Sequence, residues 1–213
     1  MLTIKCFQVN PLGVNCYVAN DDSNETVIID CGCFTEGEWK NIKRYLDDNG
    51  LKVTHLLNTH FHFDHMMGIP YAFKDLNINP EGNYADEYLY KSLGSQTEAF
   101  LGVQAGNTAI PPMGKNMSEG TKIKFGNHTF SVIQTPGHTP GGVCYYCEEE
   151  NILFSGDTLF QCSMGRTDLP GGNGHEMMAS LMRLKELPRQ TKVYPGHGGM
   201  TNIGYECDYN PYF

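Results

Sequence analysis

The feature of this chain that most constrains its fold is a dense run of histidine and aspartate: His60, His62, Asp64 and His65 lie within six consecutive positions. Imidazole nitrogens and carboxylate oxygens are ligands that zinc and iron prefer, so the run predicts a metal site rather than an ordinary polar loop. The preceding residues, 53–59, form an apolar, partly β-branched run typical of a buried strand, and a helix is expected from Asp64 onward. The run therefore belongs to a strand-to-helix loop, where rigid elements hold functional side chains.

The spacing within this run indicates how the ligands would be shared. In an extended segment, residues two apart lie on the same face, so His60 and His62 can chelate one ion together. Asp64 and His65 follow the bend and can face a second ion nearby. The run by itself therefore favours two neighbouring ions.

Three further turns have the same character, because each follows an expected strand and is flanked by glycine. They carry His138 in T-P-G-H-T-P-G, Asp157 in S-G-D and His197 in P-G-H-G. Glycine lets the backbone approach an ion closely and adopt positive φ. The candidate ligands then total five histidines and two aspartates, enough for two ions that share a carboxylate.

Composition limits the classes of function. With 213 residues, 40% of them hydrophobic, the chain can bury a substantial core in one domain spanning residues 1–213. A net charge of −9 and the lack of a basic tract argue against nucleic-acid binding. Neither a signal peptide nor an 18-residue apolar run is present, so no membrane segment is expected. The eight scattered cysteines are more typical of free thiols in a cytoplasmic protein than of disulfides.

The order of the expected elements predicts the architecture, a mixed α/β fold. Strands fall in two blocks, each followed by helical segments, which favours two sheets packed face to face with helices outside, an αβ/βα sandwich. A capping-box pattern at Thr35 and Glu38 opens a helix that ends before Gly50. The other expected helices are 84–93 and 175–187, and the expected strands are 2–9, 14–19, 26–30, 122–125, 128–134, 143–147, 152–155 and 192–194.

On these residues the chain resembles the metallo-β-lactamase-fold hydrolases, from the turn G-V-N-C-Y at 13–17 to N-P-Y-F at 210–213. The resemblance implies a four-layer fold and two divalent ions, with zinc expected first and iron or manganese as alternatives. It also implies a ligand set: His60, His62 and His138 for one ion, Asp64, His65 and His197 for the other, and Asp157 bridging the two. Aspartate at 157, where the best-known β-lactamases of the fold carry cysteine, argues against antibiotic hydrolysis.

Within that superfamily the chain is most similar to short glyoxalase II-like proteins, the hydroxyacylglutathione hydrolases. The segments that carry this similarity are D-T-L-F at 157–160, G-R-T-D-L-P-G-G at 165–172 and P-G-H-G at 195–198. The resemblance implies hydrolysis of an acyl-thiol by a hydroxide held between the ions and oriented by Asp64, the expected catalytic residue. Full-length glyoxalase II carries a C-terminal helical extension that contacts glutathione, which this chain lacks, so another small thiol can replace glutathione.

Two other functions stay open. The first is a mononuclear iron persulfide dioxygenase, a related family that would use His60, His138 and Asp157. The second is a non-enzymatic metal-binding or redox-sensing module. Arg166 is a candidate for binding a substrate carboxylate. A solvated loop arginine, or an ion pair between Arg166 and Asp168, is an equal alternative.

The remaining histidines, cysteines and core candidates receive ordinary structural interpretations. His55 is expected in the core or behind the metal ligands, and His128 and His175 on the surface. Cys144 and Cys147 should face opposite ways on a strand, which argues against a redox pair. The expected core face of the last long helix consists of Met177, Met178, Leu181, Leu184 and Leu187.

Overall fold

A five-stranded sheet, here called sheet one, forms the first half of the protein in the computed structural model, which describes residues 1–103 and 110–213. Its strands are β1 (Thr3–Val9), β2 (Val14–Asn20), β3 (Glu25–Ile29), β4 (Lys52–Leu57) and β5 (Pro80–Glu81). They lie side by side in chain order. The first three are antiparallel, and β3, β4 and β5 run parallel to one another. Because β3 and β4 are parallel neighbours, their carboxyl ends meet at one edge of the sheet.

Sheet two comes from the second half of the chain and has six strands. They are β6 (Lys122–Phe125), β7 (His128–Gln134), β8 (Val143–Cys147), β9 (Ile152–Gly156), β12 (Lys192–Pro195) and β13 (Thr201–Asn202). Their order across the sheet is β13, β12, β9, β8, β7, β6, with β9 and β12 parallel. A separate small hairpin, β10 (Leu159–Phe160) and β11 (Ser163–Met164), follows β9.

Helices cover the outer face of each sheet. They are α1 (Glu36–Asp48), α2 (Phe63–Met66), α3 (Ile69–Leu76), α4 (Glu87–Lys91), α5 (Leu93–Leu101), α6 (Gly174–Lys185) and α7 (Ile203–Tyr209). The predicted capping box begins α1: Thr35 accepts a hydrogen bond from the Glu38 N–H at 3.2 Å, and Glu38 accepts one from the Thr35 N–H at 3.0 Å. Among the described residues, no helix is long and apolar enough to cross a bilayer.

Three buried apolar layers confirm the predicted αβ/βα sandwich. One lies between sheet one and helices α1 to α5, one between the two sheets, and one between sheet two and helices α6 and α7. Strand β2 shows why: Cys16 and Val18 face the helices, while Tyr17 and Ala19 face the other sheet. Successive strand residues point to opposite faces, so a strand buried on both faces is apolar almost throughout.

The predicted helix at 84–93 is wrong in its continuity. The chain forms a 3₁₀ turn at Tyr84–Asp86, then α4, and then α5, which continues to Leu101. Ser92 separates the two helices, and its hydroxyl donates to the Leu89 carbonyl at 3.0 Å. Serine competes in this way for backbone hydrogen bonds, which is why it interrupts helices. Helix α7 was not predicted.

Two burial predictions are wrong, and each has a local cause. Met178 is 40% exposed, because it lies one residue beyond Met177 and about 100° further round α6. His128, expected on the surface, is 7% exposed. It is buried because its two ring nitrogens lie 2.9 Å from an Asp21 carboxylate oxygen and 3.0 Å from a Glu150 carboxylate oxygen.

The cysteine predictions are confirmed. All eight thiols are free. Cys144 lies in the layer against α6, whereas Cys147 lies in the layer between the sheets. The two thiols therefore face opposite sides of β8 and do not form a redox pair.

Candidate metal centre

The histidine-rich loop begins where β4 ends, and a buried carboxylate fixes it in place. Thr59 donates to Asp30 twice, from its backbone N–H at 2.8 Å and from its hydroxyl at 2.7 Å. Asp30 directly follows β3, the parallel neighbour of β4, and it also accepts a hydrogen bond at 3.1 Å from His65 Nδ1. The opposite ring nitrogen of His65, Nε2, is thereby turned toward the other candidate ligands.

The first group of candidate ligands contains His60, His62 and His138, whose ligand nitrogens all lie within 4.8 Å of one another. His62 Nδ1 is 2.9 Å from His138 Nε2. His138 Nδ1 is 2.7 Å from the Arg166 carbonyl oxygen, which can only accept, so the proton of His138 is on Nδ1. His60 Nε2 is buried without any hydrogen-bond partner among the described residues. Three imidazole nitrogens thus converge, and one of them is orphaned.

The second group contains Asp64, His65 and His197. His197 Nε2 is 3.2 Å from Asp64 Oδ2 and 3.3 Å from His65 Nε2. Its other ring nitrogen, Nδ1, faces the Leu12 carbonyl oxygen at 3.2 Å. Carbonyl acceptors behind His138 and His197 orient both rings in the same manner, with Nε2 toward the centre.

Asp157 lies between the two groups. Its Oδ1 is 3.4 Å from His65 Nε2, and its Oδ2 is 3.6 Å from both His138 Nε2 and His197 Nε2. Oδ1 is buried and has no hydrogen-bond partner within the described ranges. A β-carbon on Gly196 would lie 2.2 Å from this oxygen, so only glycine fits there. One carboxylate therefore contacts a histidine from each group.

Burial and charge give the imidazoles different protonation states. Burial lowers the pKa of His62 to about 4 and that of His60 well below its ordinary value, so both rings are neutral near pH 7. For His65, burial also disfavours the charge, but Asp157, Asp64 and Asp30 outweigh it and raise the pKa. The neutral rings of His60 and His62 lie beside carboxylates that have no lysine or arginine partner in the described part of the chain. This donor set suits divalent cations. The residues fit the implied metal ions.

All seven sequence-predicted ligands are thus brought together, but Arg166 is not. Its guanidinium donates to both oxygens of Asp168 at 2.7 Å, and both side chains are exposed. The ion-pair alternative is therefore the one observed. His55 lies apart as well, because its Nδ1 pairs with Glu81 at 2.7 Å.

Sequence reasoning missed two buried carboxylates beside this centre, Asp30 and Asp86, which are 1% and 0% exposed. Asp30 ends the apolar run T-V-I-I-D, and a charge at the end of a buried strand is a usable signal. Asp86 lies in the polar segment N-Y-A-D-E, where nothing distinguishes it from a solvated residue.

Comparison with known proteins decides the family. The model of the metallo-β-lactamase superfamily matches residues 9–197. The chain belongs to the metallo-β-lactamase superfamily. Among curated relatives of this superfamily member, hydroxyacylglutathione hydrolase GloC from Haemophilus influenzae is 32% identical over 99% of this chain and 98% of its own length.

Solved structures of the superfamily agree over the whole fold. The crystal structure of BLEG-1 B3 metallo-β-lactamase has a TM-score of 0.89 and 34% identity, covering 99% of each chain. The crystal structure of TTHA1623 in a di-iron-bound form has a TM-score of 0.85 and 34% identity, covering 98% of this chain and all of that one. The metallo-β-lactamase fold expected from the sequence is confirmed.

Proposed function

We propose that this superfamily member is a hydrolase of acyl-thiol esters that uses two divalent metal ions. The observation that carries the proposal is the position of Asp157, whose two oxygens face histidines of different ligand groups. A carboxylate placed in this way suits a bridging ligand, and a bridging ligand needs two ions. A mononuclear iron centre at His60, His138 and Asp157 would leave the assembled Asp64, His65 and His197 without a role.

In the proposed mechanism, His60, His62 and His138 would hold one ion, Asp64, His65 and His197 would hold the other, and Asp157 would serve both. Bound divalent ions lower the pKa of water and polarise a carbonyl oxygen. Zinc is the first candidate for both ions, and iron or manganese suits the same nitrogen and oxygen ligands.

Asp64 is the residue to which we assign orientation of the attacking water. Its Oδ2 faces His197 and His65, at 3.2 and 3.7 Å from their Nε2 atoms. Its other oxygen accepts no hydrogen bond from the residues that the structure describes, so it can accept one from water. After attack, a thiol of pKa about 8.5 leaves as thiolate, so the site needs no separate proton donor.

The substrate class follows from this chemistry and from one relative. A hydroxyacyl-thiol, with a carbonyl to polarise and a thiolate to release, fits the proposed centre, and GloC is named as a hydroxyacylglutathione hydrolase. We place the activity in the cytoplasm, where thiols like the eight free cysteines stay reduced.

A substrate panel tests the proposal. Metal-loaded protein is assayed with a hydroxyacyl-glutathione thioester, the matching coenzyme A thioester, the oxygen ester of the same acyl group, and a chromogenic cephalosporin. We expect kcat/KM to be highest for one of the thioesters. The cephalosporin is included because the chain is similar to a B3 metallo-β-lactamase over its whole length. A higher kcat/KM for the cephalosporin than for either thioester would contradict the proposal. Persulfide-dependent oxygen uptake without thioester cleavage would contradict it as well.

A further inference from the structure

A buried carboxylate outside the seven candidate ligands connects two of the loops that carry them. Asp86 is fully buried, and the three described residues that donate to its carboxylate all belong to ligand-bearing loops. Its Oδ2 accepts from the Phe61 N–H at 3.3 Å and from the Thr139 hydroxyl at 2.7 Å, and its Oδ1 accepts from the Gly141 N–H at 2.7 Å. Two of these donors are backbone amides, which can only donate, so both carboxyl oxygens of Asp86 act as acceptors.

The partners of Asp86 are neighbours of the first ligand group. Phe61 lies between His60 and His62 in the chain, and Thr139 directly follows His138. One carboxylate therefore fixes the distance between the loop after β4 in sheet one and the loop between β7 and β8 in sheet two. Within the described residues, none of Asp64, His65 and His197, the second group, donates a hydrogen bond to Asp86.

Asp86 does not have the local role that its position favours. It precedes α4, where an aspartate ordinarily accepts from the first amides of the helix, yet its side chain makes no such cap. The space around it is also specialised, because a β-carbon on Gly141 would lie 2.6 Å from Asp86 Cγ. A carboxyl group buried at this depth is costly unless it is fully hydrogen-bonded, which indicates a function beyond helix capping.

We propose that Asp86 is the positioning residue of the three-histidine group, holding the His60–His62 loop and the His138 loop at the separation at which one metal ion is bound. This inference rests on the proposed metal centre. Removing the negative acceptor should weaken the ion held by His60, His62 and His138 and leave the ion held by Asp64, His65 and His197 in place. Partners behind metal ligands typically contribute about 10- to 100-fold to metal affinity.

The test compares Asp86→Asn with a matched control, Asp21→Asn. Asp86→Asn keeps the shape of the side chain but replaces one acceptor oxygen by an amide N–H₂ group, which faces N–H or O–H donors and cannot accept from them. Asp21 is also buried and accepts from backbone amides, at 2.9 Å from Ser23 and 2.6 Å from Asn127, but none of its described partners adjoins a candidate ligand in the chain. Cobalt(II) titration of the metal-free proteins, followed by absorption and by competition with a chelator, gives the number and affinity of bound ions. Urea unfolding of the metal-free proteins gives their stability.

We expect native protein and Asp21→Asn to bind two ions alike, whereas Asp86→Asn keeps one and binds the other about 10- to 100-fold more weakly. A milder variant, Thr139→Val, removes only the hydrogen bond from the Thr139 hydroxyl and should reduce the affinity for the same ion less. It replaces Asp86→Asn in the test if that variant does not fold. Two native-like affinities in Asp86→Asn, or in Thr139→Val if that variant is the one used, would overturn the inference while leaving the metal centre standing. Equal losses in Asp86→Asn and Asp21→Asn would also overturn it. A native protein that binds no ion would overturn both proposals.

Discussion

Three of the seven candidate ligands are oriented by a hydrogen-bond partner behind the ring. Asp30 supports His65, and the carbonyls of Arg166 and Leu12 support His138 and His197. Such partners fix the orientation of each ring, so that Nε2 points to the centre before any ion arrives. The fold therefore orders these side chains without an ion. Substitution of a single ligand should affect metal binding more than folding.

Asp64 offers the sharpest single-residue test of the proposed catalysis. Asp64→Ala should lower thioester turnover by about 100-fold or more, because it removes both a ligand and the acceptor for water. The fold should persist, since the Asp64 side chain lies at the site and its backbone carbonyl keeps the hydrogen bond from Asn10. Steady-state kinetics with circular dichroism checks this, and Arg166→Ala serves as a comparison that changes an exposed charge. A folded Asp64→Ala protein with native turnover would refute the assignment.

His128 gives a pH-dependent stability far from the candidate ligands. Burial alone would lower its pKa, but Asp21 and Glu150 outweigh burial and raise it. A histidine whose pKa is higher in the folded state contributes its full stabilisation below its pKa in the unfolded chain, about 6.5. This stabilisation is lost as the pH rises through the pKa of the folded state. We therefore expect the native free energy of unfolding to fall more than that of His128→Gln between about pH 6 and about pH 9. Urea unfolding at both pH values measures this, and equal changes would contradict it.

At the scale of elements, helix α1 is coupled to the metal loop through its first turn. Glu38, besides closing the capping box, accepts from the Asn10 N–H at 2.9 Å. The Asn10 side chain in turn donates to the carbonyls of Gly32 and Asp64, at 2.8 and 2.9 Å. The start of an outer helix thereby supports the turn on which Asp64 lies.

Loss of the cap should be measurable in stability. Thr35→Ala removes the acceptor for the Glu38 amide and should lower the free energy of unfolding by about 1 kcal/mol. Thr35→Ser keeps a hydroxyl and should stay close to the native value. Urea unfolding of the three proteins distinguishes them, and a native-like Thr35→Ala would show that the cap contributes nothing.

The elements also show what the sequence could and could not predict. Strands 122–125, 128–134 and 143–147 were predicted with their observed ends, because the hairpin turn and the apolar runs are local signals. The break at Ser92 and the exposure of Met178 were missed although both have local causes: the Ser92 hydroxyl binds the Leu89 carbonyl, and Met178 lies about 100° from Met177 around the helix. Asp86 was missed because its partners lie 25, 53 and 55 residues away along the chain.

At the scale of the whole molecule, the candidate centre joins the two sheets. His60 to His65 follow β4 of sheet one, whereas His138, Asp157 and His197 follow strands of sheet two. Metal ions bound there would stabilise the folded state alone, by about 2.7 kcal/mol at a free concentration 100 times Kd. We expect a chelator to lower the melting temperature of the native protein. An unchanged melting temperature after proven metal removal would contradict a centre shared between the sheets.

The measurement that tests the central claim most directly is thioester hydrolysis by metal-free protein as zinc is added in known equivalents. Two ions bridged by Asp157 predict that the rate rises until two equivalents per chain are bound and is then constant, with elemental analysis giving the same stoichiometry. A rate that is already maximal at one equivalent would contradict the two-ion mechanism. A protein that binds two equivalents yet hydrolyses no thioester would contradict the proposed substrate class.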